Sequence, residues 1–452
     1  MSPLPFFVTT LTHATWAEAR ACAAELPEEA LPELRLDLFP DQDPEALVAA
    51  LQGRCLVSCR TQAEGGRWQG SEEERIGRLL RALEGRPRWL DLEWDLGVPE
   101  AFRPRMTKTR LLRSVHVPAG VFDLDARLEA LPEGDAFKWV GVAARLGDNA
   151  RLRAPLARAR DRGLLLSAFL MGSKGAPSRA MQGARGGRFT YAAPDDGPPA
   201  APGQLALGTM LGWRCHRLHP DHGICGVLGS PVAHSRGPAF HNPRFQRAFK
   251  SLLYMPLDCG DAGEAVTALQ SLEVLGASIT APLKATLPEA LGLPGPLNTL
   301  WRRDPGEPWS SANTDRAALE DACAVLPAGP VLVLGGGGVA RTSAALFADR
   351  GLPVLQVSRN APATPAEIRA LGPVGVVQAT SLGMEPGDGA PFPHLLEAAQ
   401  PSLRWAVEWI YKTDTAFLAW AEGKGLVTLR GDGLFQRQAE AQSRIFIAGC
   451  GG

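Results

Sequence analysis

The chain has 452 residues and a formal net charge of −1, with charged residues at 21%. That balance excludes a broad basic footprint for nucleic acid or an anionic membrane, and the length leaves room for two or three domains, each with a full core. Of the 47 basic residues only seven are lysines, so a lysine inside an apolar run stands out.

The N-terminal stretch MSPLPFFVTTLTHATWAEAR lacks a basic region ahead of its short apolar run and reads as a first strand, not a signal peptide. No apolar run approaches the length needed to cross a bilayer. Eight cysteines are scattered through the chain. Cys55 and Cys59 in CLVSCR fit neither a zinc knuckle nor a redox pair, and no metal-ligand spacing appears elsewhere. A soluble, cytoplasmic protein with buried thiols and no metal is expected.

From residue 1 to about 218 strand-like and helix-like stretches alternate. FFVTTL, LPELRLDLF, CLVSCRT, RWLDLEW, TRLLRSVHV, FKWVGVAA, GLLLSAFLM and QLALGT are the expected strands. WAEARACAAEL, DPEALVAALQG and SEEERIGRLLRALEG have apolar residues three or four apart and predict helices. Eight such units predict a compact (β/α)8 barrel. RCHRLHPDH (214–222) is polar and aperiodic and reads as a linker.

The second half, about 223–452, is α/β with a different rhythm. A block over 223–314 opens with GICGVLG and ends at SSANTD. Beyond it VLVLGGGGVARTSAALFADRG predicts a strand, a glycine turn and a helix, followed by the strands QVSR, GVVQAT and WAVEWIY. This is a substrate-type lobe followed by a Rossmann-type nucleotide lobe over about 315–431, with a C-terminal helix returning to the first lobe. In the turn, Gly335, Gly336, Gly337 and Gly338, with Val339, place backbone amides where a pyrophosphate can approach a helix N-terminus. The next strand ends in Ser358, Arg359 and Asn360 with no acid to take ribose hydroxyls, so Arg359 is suited to a 2′-phosphate and NADP is favoured.

Lys138 lies in DAFKWVGVAARLG (135–147), a run that otherwise reads as a buried strand. Its position alone leaves two readings open: a stem that snorkels to water, or a desolvated amine with a chemical role.

The order GSPVAHSRGPAFHN, GASITAPLKATLP, PLNTLW and ANTDRAAL, ahead of the glycine turn, resembles the shikimate dehydrogenases over 223–452. The resemblance implies that Lys284 and Asp315 form the catalytic pair. It also implies that Ser235, Gly237, Thr280, Asn298, Tyr411 and Gln438 contact the substrate, and that Gly431 joins the glycine turn at the cofactor. The first half resembles the type I 3-dehydroquinate dehydratases in ELRLD, CRTQAEGG, LDLEWD, SVH, FKWVGV, MGSKGAPSR and APGQ. That resemblance implies a Schiff base on Lys138, acid–base work by His116 with Glu64 as its partner, and substrate contacts from Glu33, Arg35, Arg60, Arg179 and Gln204.

Together the two resemblances imply a bifunctional enzyme of the shikimate pathway acting on 3-dehydroquinate, 3-dehydroshikimate and shikimate. Two alternatives stand beside it: a chain with one active half, and a lysine-bearing aldolase barrel in place of the dehydratase. Departures from the family patterns are Val117 after His116, Ala200, Lys174 in the loop expected over the barrel site, Gly237, Gln378 and Glu408. Gly237, where a serine is usual, is expected to open a space beside C1 of the substrate ring that could admit quinate.

Overall fold

The computed structural model describes residues 5–131, 136–385, 387–411 and 413–451. Asp135, at the start of the run containing Lys138, and the chain ends of the two expected domains lie outside the described residues.

Eight parallel strands form the first sheet: β1 Phe7–Thr10, β2 Ala30–Arg35, β3 Leu56–Ser58, β4 Trp89–Glu93, β5 Arg110–His116, β6 Ala136–Val142, β7 Leu165–Met171 and β8 Thr190–Ala192. They lie in the order β7-β6-β5-β4-β3-β2-β1-β8, a nearly closed barrel. Two hydrogen bonds draw the segment entering β8 to β7: Ser167 Oγ donates to Phe189 O at 2.7 Å, and the Arg188 amide to Leu166 O at 2.8 Å.

The eighth strand corrects the sequence expectation. QLALGT was expected there, but Leu207–Gly212 is a helix and β8 is the earlier TYA. Leu207 and Met210, three apart, are the buried residues of that helix, which is helical spacing. Phe189 and Tyr191, two apart, enter the barrel core, which is strand spacing.

That same two-residue period places the chemistry. Leu31, Trp89, Leu112, Ala136 and Val140 belong to the apolar cluster inside the barrel. Glu33 and Arg35 follow Leu31 at steps of two, Asp91 follows Trp89, Ser114 and His116 follow Leu112, and Lys138 stands between Ala136 and Val140. The inward face therefore changes from apolar to polar toward the carboxyl ends of the strands, where a barrel assembles its site.

A second sheet has the order β10-β9-β11-β12-β13, with β9 Gly223–Gly229, β10 Leu252–Asp258, β11 Val274–Ile279, β12 Thr299–Trp301 and β13 Ser310–Ala312. The third, all parallel, has the order β15-β14-β16-β17-β18, with β14 Val331–Leu334, β15 Val354–Val357, β16 Gly375–Gln378, β17 Trp405–Glu408 and β18 Val427–Leu429. The helix Gly431–Gly449 leaves the third sheet and packs on helices Gly237–Arg247 and Thr314–Ala322.

The expected linker is no free tether. Cys215 is fully buried in an apolar cluster that joins Phe7, Met181 and Ala184 of the barrel to Ile224, Leu253 and Met255 of the second sheet. All eight cysteines are buried free thiols. No helix among the described residues is long and apolar enough to cross a membrane.

Candidate active sites

Lys138 is 2% exposed. Its Nζ donates to Asp91 Oδ2 at 2.8 Å and to the Tyr191 hydroxyl at 3.3 Å, and it stands 4.6 Å from the centre of the Tyr191 ring. Asp91 also accepts from Arg60 Nη2 at 2.5 Å and from the Ser114 hydroxyl. Burial pushes the Asp91 carboxyl up, but the Arg60 and Lys138 cations outweigh it and hold the group well below the usual carboxylate range. Burial and then the Arg60 guanidinium lower the Lys138 amine, against the pull of Asp91 and Glu33. The snorkelling reading fails on these contacts, because the ammonium end lies inside the barrel among fixed partners.

His116 ends β5, next to β6. Its Nδ1 is 2.6 Å from Glu64 Oε2, and Arg60 Nη1 lies 3.9 Å from the same oxygen. Burial first, then the Arg60 and Lys138 cations, depress His116 well below 6.5, while burial raises Glu64. The imidazole is therefore held neutral, with one ring nitrogen on Glu64 and the other left for a substrate.

The remaining barrel candidates are placed unevenly. Glu33 accepts from Thr10 Oγ1 at 2.6 Å and Ser58 Oγ at 3.0 Å. Arg35 is forked onto Asp37 through Nε and Nη2 at 2.8 and 2.6 Å. Gln204 Oε1 accepts from the Ala200 amide at 2.8 Å, leaving its amide nitrogen to act as donor. Arg179 is 1% exposed, lies over the Phe169 ring at 4.3 Å, and has Nε and Nη2 buried without a partner among the described residues. Burial lowers it to about 9. An unpaired buried guanidinium is costly, and an anionic ligand would relieve that cost. Lys174 stands in the turn Ser173–Gly175 after β7, and its ammonium is paired with Glu264 of the second half.

In the second half, Lys284 Nζ meets Asp315 Oδ2 at 2.5 Å. Lys284 stands in the first turn of the helix Leu283–Ala290 after β11, and Asp315 in the first turn of Thr314–Ala322. Asn298 Oδ1 accepts from the Thr314 amide at 2.8 Å and from the Thr299 and Thr314 hydroxyls at 2.8 and 3.1 Å, which fixes the turn before Asp315. Gln438 Oε1 reaches Thr314 Oγ1 at 3.5 Å. Tyr411 stacks on Phe435 at 4.7 Å, with Arg236 5.4 Å from its ring, and burial raises its hydroxyl. Thr280 precedes the cis Ala281–Pro282 bond that leads into the Lys284 helix.

The glycine turn abuts this pair. A Cβ at Gly338 would lie 3.0 Å from Lys284 Cβ, a tight contact, so the glycine lets the turn approach the Lys284 helix closely. Gly335, at φ +132, would meet Ala379 O at 2.5 Å with a Cβ, whereas Gly337 faces open space, as a cradle for a phosphate requires. A Cβ at Gly336 would lie 3.3 Å from Ser358 Cβ, and Val339 follows in the first turn of helix Gly338–Asp349. Ser358 closes a tight turn with Ala361 that leaves Arg359 and Asn360 exposed at its tip. Gly431 packs against Ile410 O at 2.3 Å from an ideal Cβ.

Ser235 Oγ accepts from the Gly237 amide at 3.1 Å. The space expected beside Gly237 is absent: a Cβ there would meet Tyr254 Cε1 at 2.8 Å and its hydroxyl at 3.1 Å.

Sequence reasoning passed over several residues. Asp91 was quoted only as part of a motif, although a carboxylate inside the apolar run LDL requires a buried cation. Gln442 spans Ser278 at 2.9 Å and Thr299 at 2.9 Å, and Asn313 Nδ2 reaches Thr342 of the nucleotide-lobe helix at 3.1 Å. No metal-ligand spacing was visible, yet His13, Cys22 and Asp196 come within 4.8 Å of one another, with His13 Nε2 at 3.1 Å from Asp196.

The family described as type I 3-dehydroquinase matches residues 7–212, and the shikimate dehydrogenase substrate binding domain matches 227–292. A 3-dehydroquinate dehydratase of Dehalococcoides mccartyi is 34% identical over 185 residues, covering 40% of this chain and 82% of that protein. The chloroplastic bifunctional 3-dehydroquinate dehydratase/shikimate dehydrogenase of Arabidopsis thaliana is 26% identical over 472 residues, covering 92% of this chain and 77% of that protein. Among solved structures, the dehydroquinate dehydratase and shikimate dehydrogenase of S. pombe is 19% identical with a TM-score of 0.40, covering 98% of this chain and 96% of that one. The chain thus belongs to the type I 3-dehydroquinase family through its N-terminal half and continues into a shikimate dehydrogenase substrate-binding domain, the order found in the bifunctional proteins.

Proposed function

We propose that the chain catalyses two consecutive steps: dehydration of 3-dehydroquinate to 3-dehydroshikimate in the barrel, and reduction of that product to shikimate in the second half. The observation that carries the first step is Lys138, buried beside Asp91 with its amine lowered and a neutral His116 on the adjacent strand.

Neutral Lys138 attacks the substrate ketone, and loss of water gives an iminium. That electron sink acidifies the neighbouring C2 protons. His116 removes one and returns it to the C1 hydroxyl, which leaves as water. Hydrolysis of the iminium frees the product and the amine. Arg179, lacking a partner, takes the substrate carboxylate with Gln204; Glu33, Arg35 and Arg60 face the ring hydroxyls. The match to the type I 3-dehydroquinase family over residues 7–212 favours this reading over the barrel-aldolase alternative.

In the second half Lys284, oriented by Asp315, delivers a proton to the ketone oxygen and takes it back in the reverse direction. Ser235, Thr280, Asn298, Tyr411 and Gln438 orient the substrate. The open face at Gly337 and the exposed Arg359 fit a dinucleotide with a 2′-phosphate, held by Gly335, Gly336, Gly337, Gly338, Val339, Ser358, Arg359, Asn360 and Gly431. NADPH, when bound, supplies hydride to the substrate carbon. The free thiols fit a reducing, cytoplasmic setting. We assign the dehydratase to 1–218 and the dehydrogenase to 223–452.

Borohydride reduction in the presence of 3-dehydroquinate tests the first step: the adduct is expected on Lys138, and labelling elsewhere, or none, overturns it. A coupled assay with 3-dehydroquinate and NADPH, each half inactivated in turn, tests the sequence of steps. Consumption of NADPH that survives loss of Lys138 would refute the order.

A further inference from the structure

The loop after β7 is bonded across to the other half of the molecule. Glu264, in the first turn of helix Ala262–Ser271 after β10, accepts from Lys174 Nζ at 2.9 Å on both oxygens and from the Leu146 amide at 2.8 Å. Its own position is fixed by Asp261, which accepts from the Glu264 amide at 2.7 Å. Lys174 belongs to the turn Ser173–Gly175 that follows β7, and Leu146 opens the turn Leu146–Leu152 that follows β6.

Asn149 ties those two barrel loops together. Its Nδ2 donates to Leu146 O and to Lys174 O, both at 2.7 Å, and its Oδ1 accepts from the Ser178 amide at 3.1 Å. Ser178 is clamped in turn: its Oγ accepts from the Leu170 amide at 2.9 Å and donates to Gly175 O at 2.7 Å. The next residue is Arg179, whose Nε and Nη2 are buried without a hydrogen-bond partner among the described residues. The same loop also sets the position of Gln204. The Gly172 amide donates to Pro202 O at 3.0 Å, and Gly203 approaches Gly172 so closely that a Cβ would lie 2.1 Å from its carbonyl oxygen.

We propose that Glu264, from the dehydrogenase half, is a positioning residue for the dehydratase site: through Lys174, Leu146 and Asn149 it holds the loop that presents Arg179 and Gln204 to the substrate carboxylate. This rests on the reading of Arg179 as the carboxylate-binding residue. A salt bridge that only glued the halves together would need no relay into the barrel. Here the carboxylate takes bonds from two barrel loops, and Asn149 links both to the residue before Arg179. The pair is shielded, with Lys174 and Glu264 side chains 29% and 16% exposed, so it is weakened less by salt than a surface pair.

The test measures both activities on the same full-length preparations. Glu264→Ala is expected to raise KM for 3-dehydroquinate roughly five- to tenfold with little change in kcat, because substrate binding, not proton transfer, is disturbed. Glu264→Gln, which keeps an acceptor for the Leu146 amide, should fall between wild type and alanine. Lys174→Met should also raise KM, and the double variant Lys174→Met/Glu264→Ala should be no worse than Glu264→Ala alone. Shikimate oxidation is expected to stay unchanged throughout and reports that the chain is folded.

An unchanged KM in Glu264→Ala, or a fall in kcat at constant KM, overturns the proposal. If Glu264→Ala loses both activities together, Glu264→Gln and Lys174→Met decide instead, and an unchanged KM in both overturns it. Arg179→Lys separates the two levels. If it leaves KM unaltered, the carboxylate reading has failed; if it raises KM while the Glu264 and Lys174 variants do not, the positioning role has failed.

Discussion

The ring of Tyr254 fills the space that a side chain at position 237 would need, with Cε1 2.8 Å from the ideal Cβ of Gly237. Tyr254 is 1% exposed, and its hydroxyl donates to Ser278 at 2.7 Å, so the ring cannot swing away cheaply. The glycine therefore leaves no vacant pocket at its own Cβ position. Gly237→Ser should overpack this corner and destabilise the protein by about 1–3 kcal/mol while weakening shikimate binding. The same substitution in a Tyr254→Leu background should cost less. Thermal unfolding and KM for shikimate in the four proteins check this, and a Gly237→Ser variant with wild-type Tm refutes it.

Lys138 and Asp91 form the second test. Lys138→Arg keeps the charge but removes the amine that can lose a proton, so dehydration should fall by orders of magnitude while shikimate oxidation persists. Asp91→Asn leaves Arg60 and Lys138 without their shared buried carboxylate, and breaking such a pair costs about 3–5 kcal/mol. Both activities and urea unfolding should be measured together. Equal loss of the two activities in Lys138→Arg would undercut the assigned role.

The pH profile of dehydration follows from His116. Burial and the neighbouring cations depress its pKa well below 6.5, so the imidazole stays neutral and able to take a proton as pH falls through that value. The acid limb of kcat/KM for 3-dehydroquinate, which reports the free enzyme, is expected below 6.5. A limb centred at 6.5 would show that burial and the neighbouring cations do not depress the base, and would overturn the reading of a depressed His116.

Much of the barrel site was legible because a strand has a period of two. Once Leu31, Trp89 and Leu112 are taken as core, Glu33, Asp91, Ser114 and His116 fall on the same face by counting. Lys138 stood out because the chain uses arginine almost everywhere else. Contacts between distant segments were not legible. Lys174 and Glu264 are 90 residues apart in the chain, and nothing local to either signals the other. Tyr254 reads as an ordinary strand aromatic until the fold lays it against Gly237. QLALGT failed for another reason: its apolar residues suit either period, and the strand that closes the barrel is only three residues long.

The coenzyme preference rests on Arg359, exposed at the tip of the turn after β15. Arg359→Ala should weaken NADPH far more than NADH, since only the former carries the 2′-phosphate. Binding of the two nucleotides to wild type and variant, followed by fluorescence, checks this. Equal weakening of both would show that Arg359 is not the phosphate clamp.

Glu408, at the end of β17, gives the stability of the nucleotide lobe a pH dependence. It is 1% exposed, and burial raises its carboxyl from 4.5 to about 7 despite hydrogen bonds from Thr415 Oγ1 at 2.5 Å and the Ile410 amide at 2.9 Å. Below pH 4.5 the group is protonated in the folded and unfolded chains alike and costs nothing. Between 4.5 and 7 the unfolded chain releases the proton while the folded chain keeps it, so stability falls as pH rises. Above 7 the folded chain carries a buried charge, and the loss is complete at no more than about 3 kcal/mol. Glu408→Gln removes the titration yet keeps an acceptor for the Ile410 amide and a polar group for Thr415. The variant should therefore gain stability over wild type progressively from pH 5 to pH 8. Urea unfolding at several pH values measures that difference; a difference that stays constant with pH would show that Glu408 does not titrate in this range.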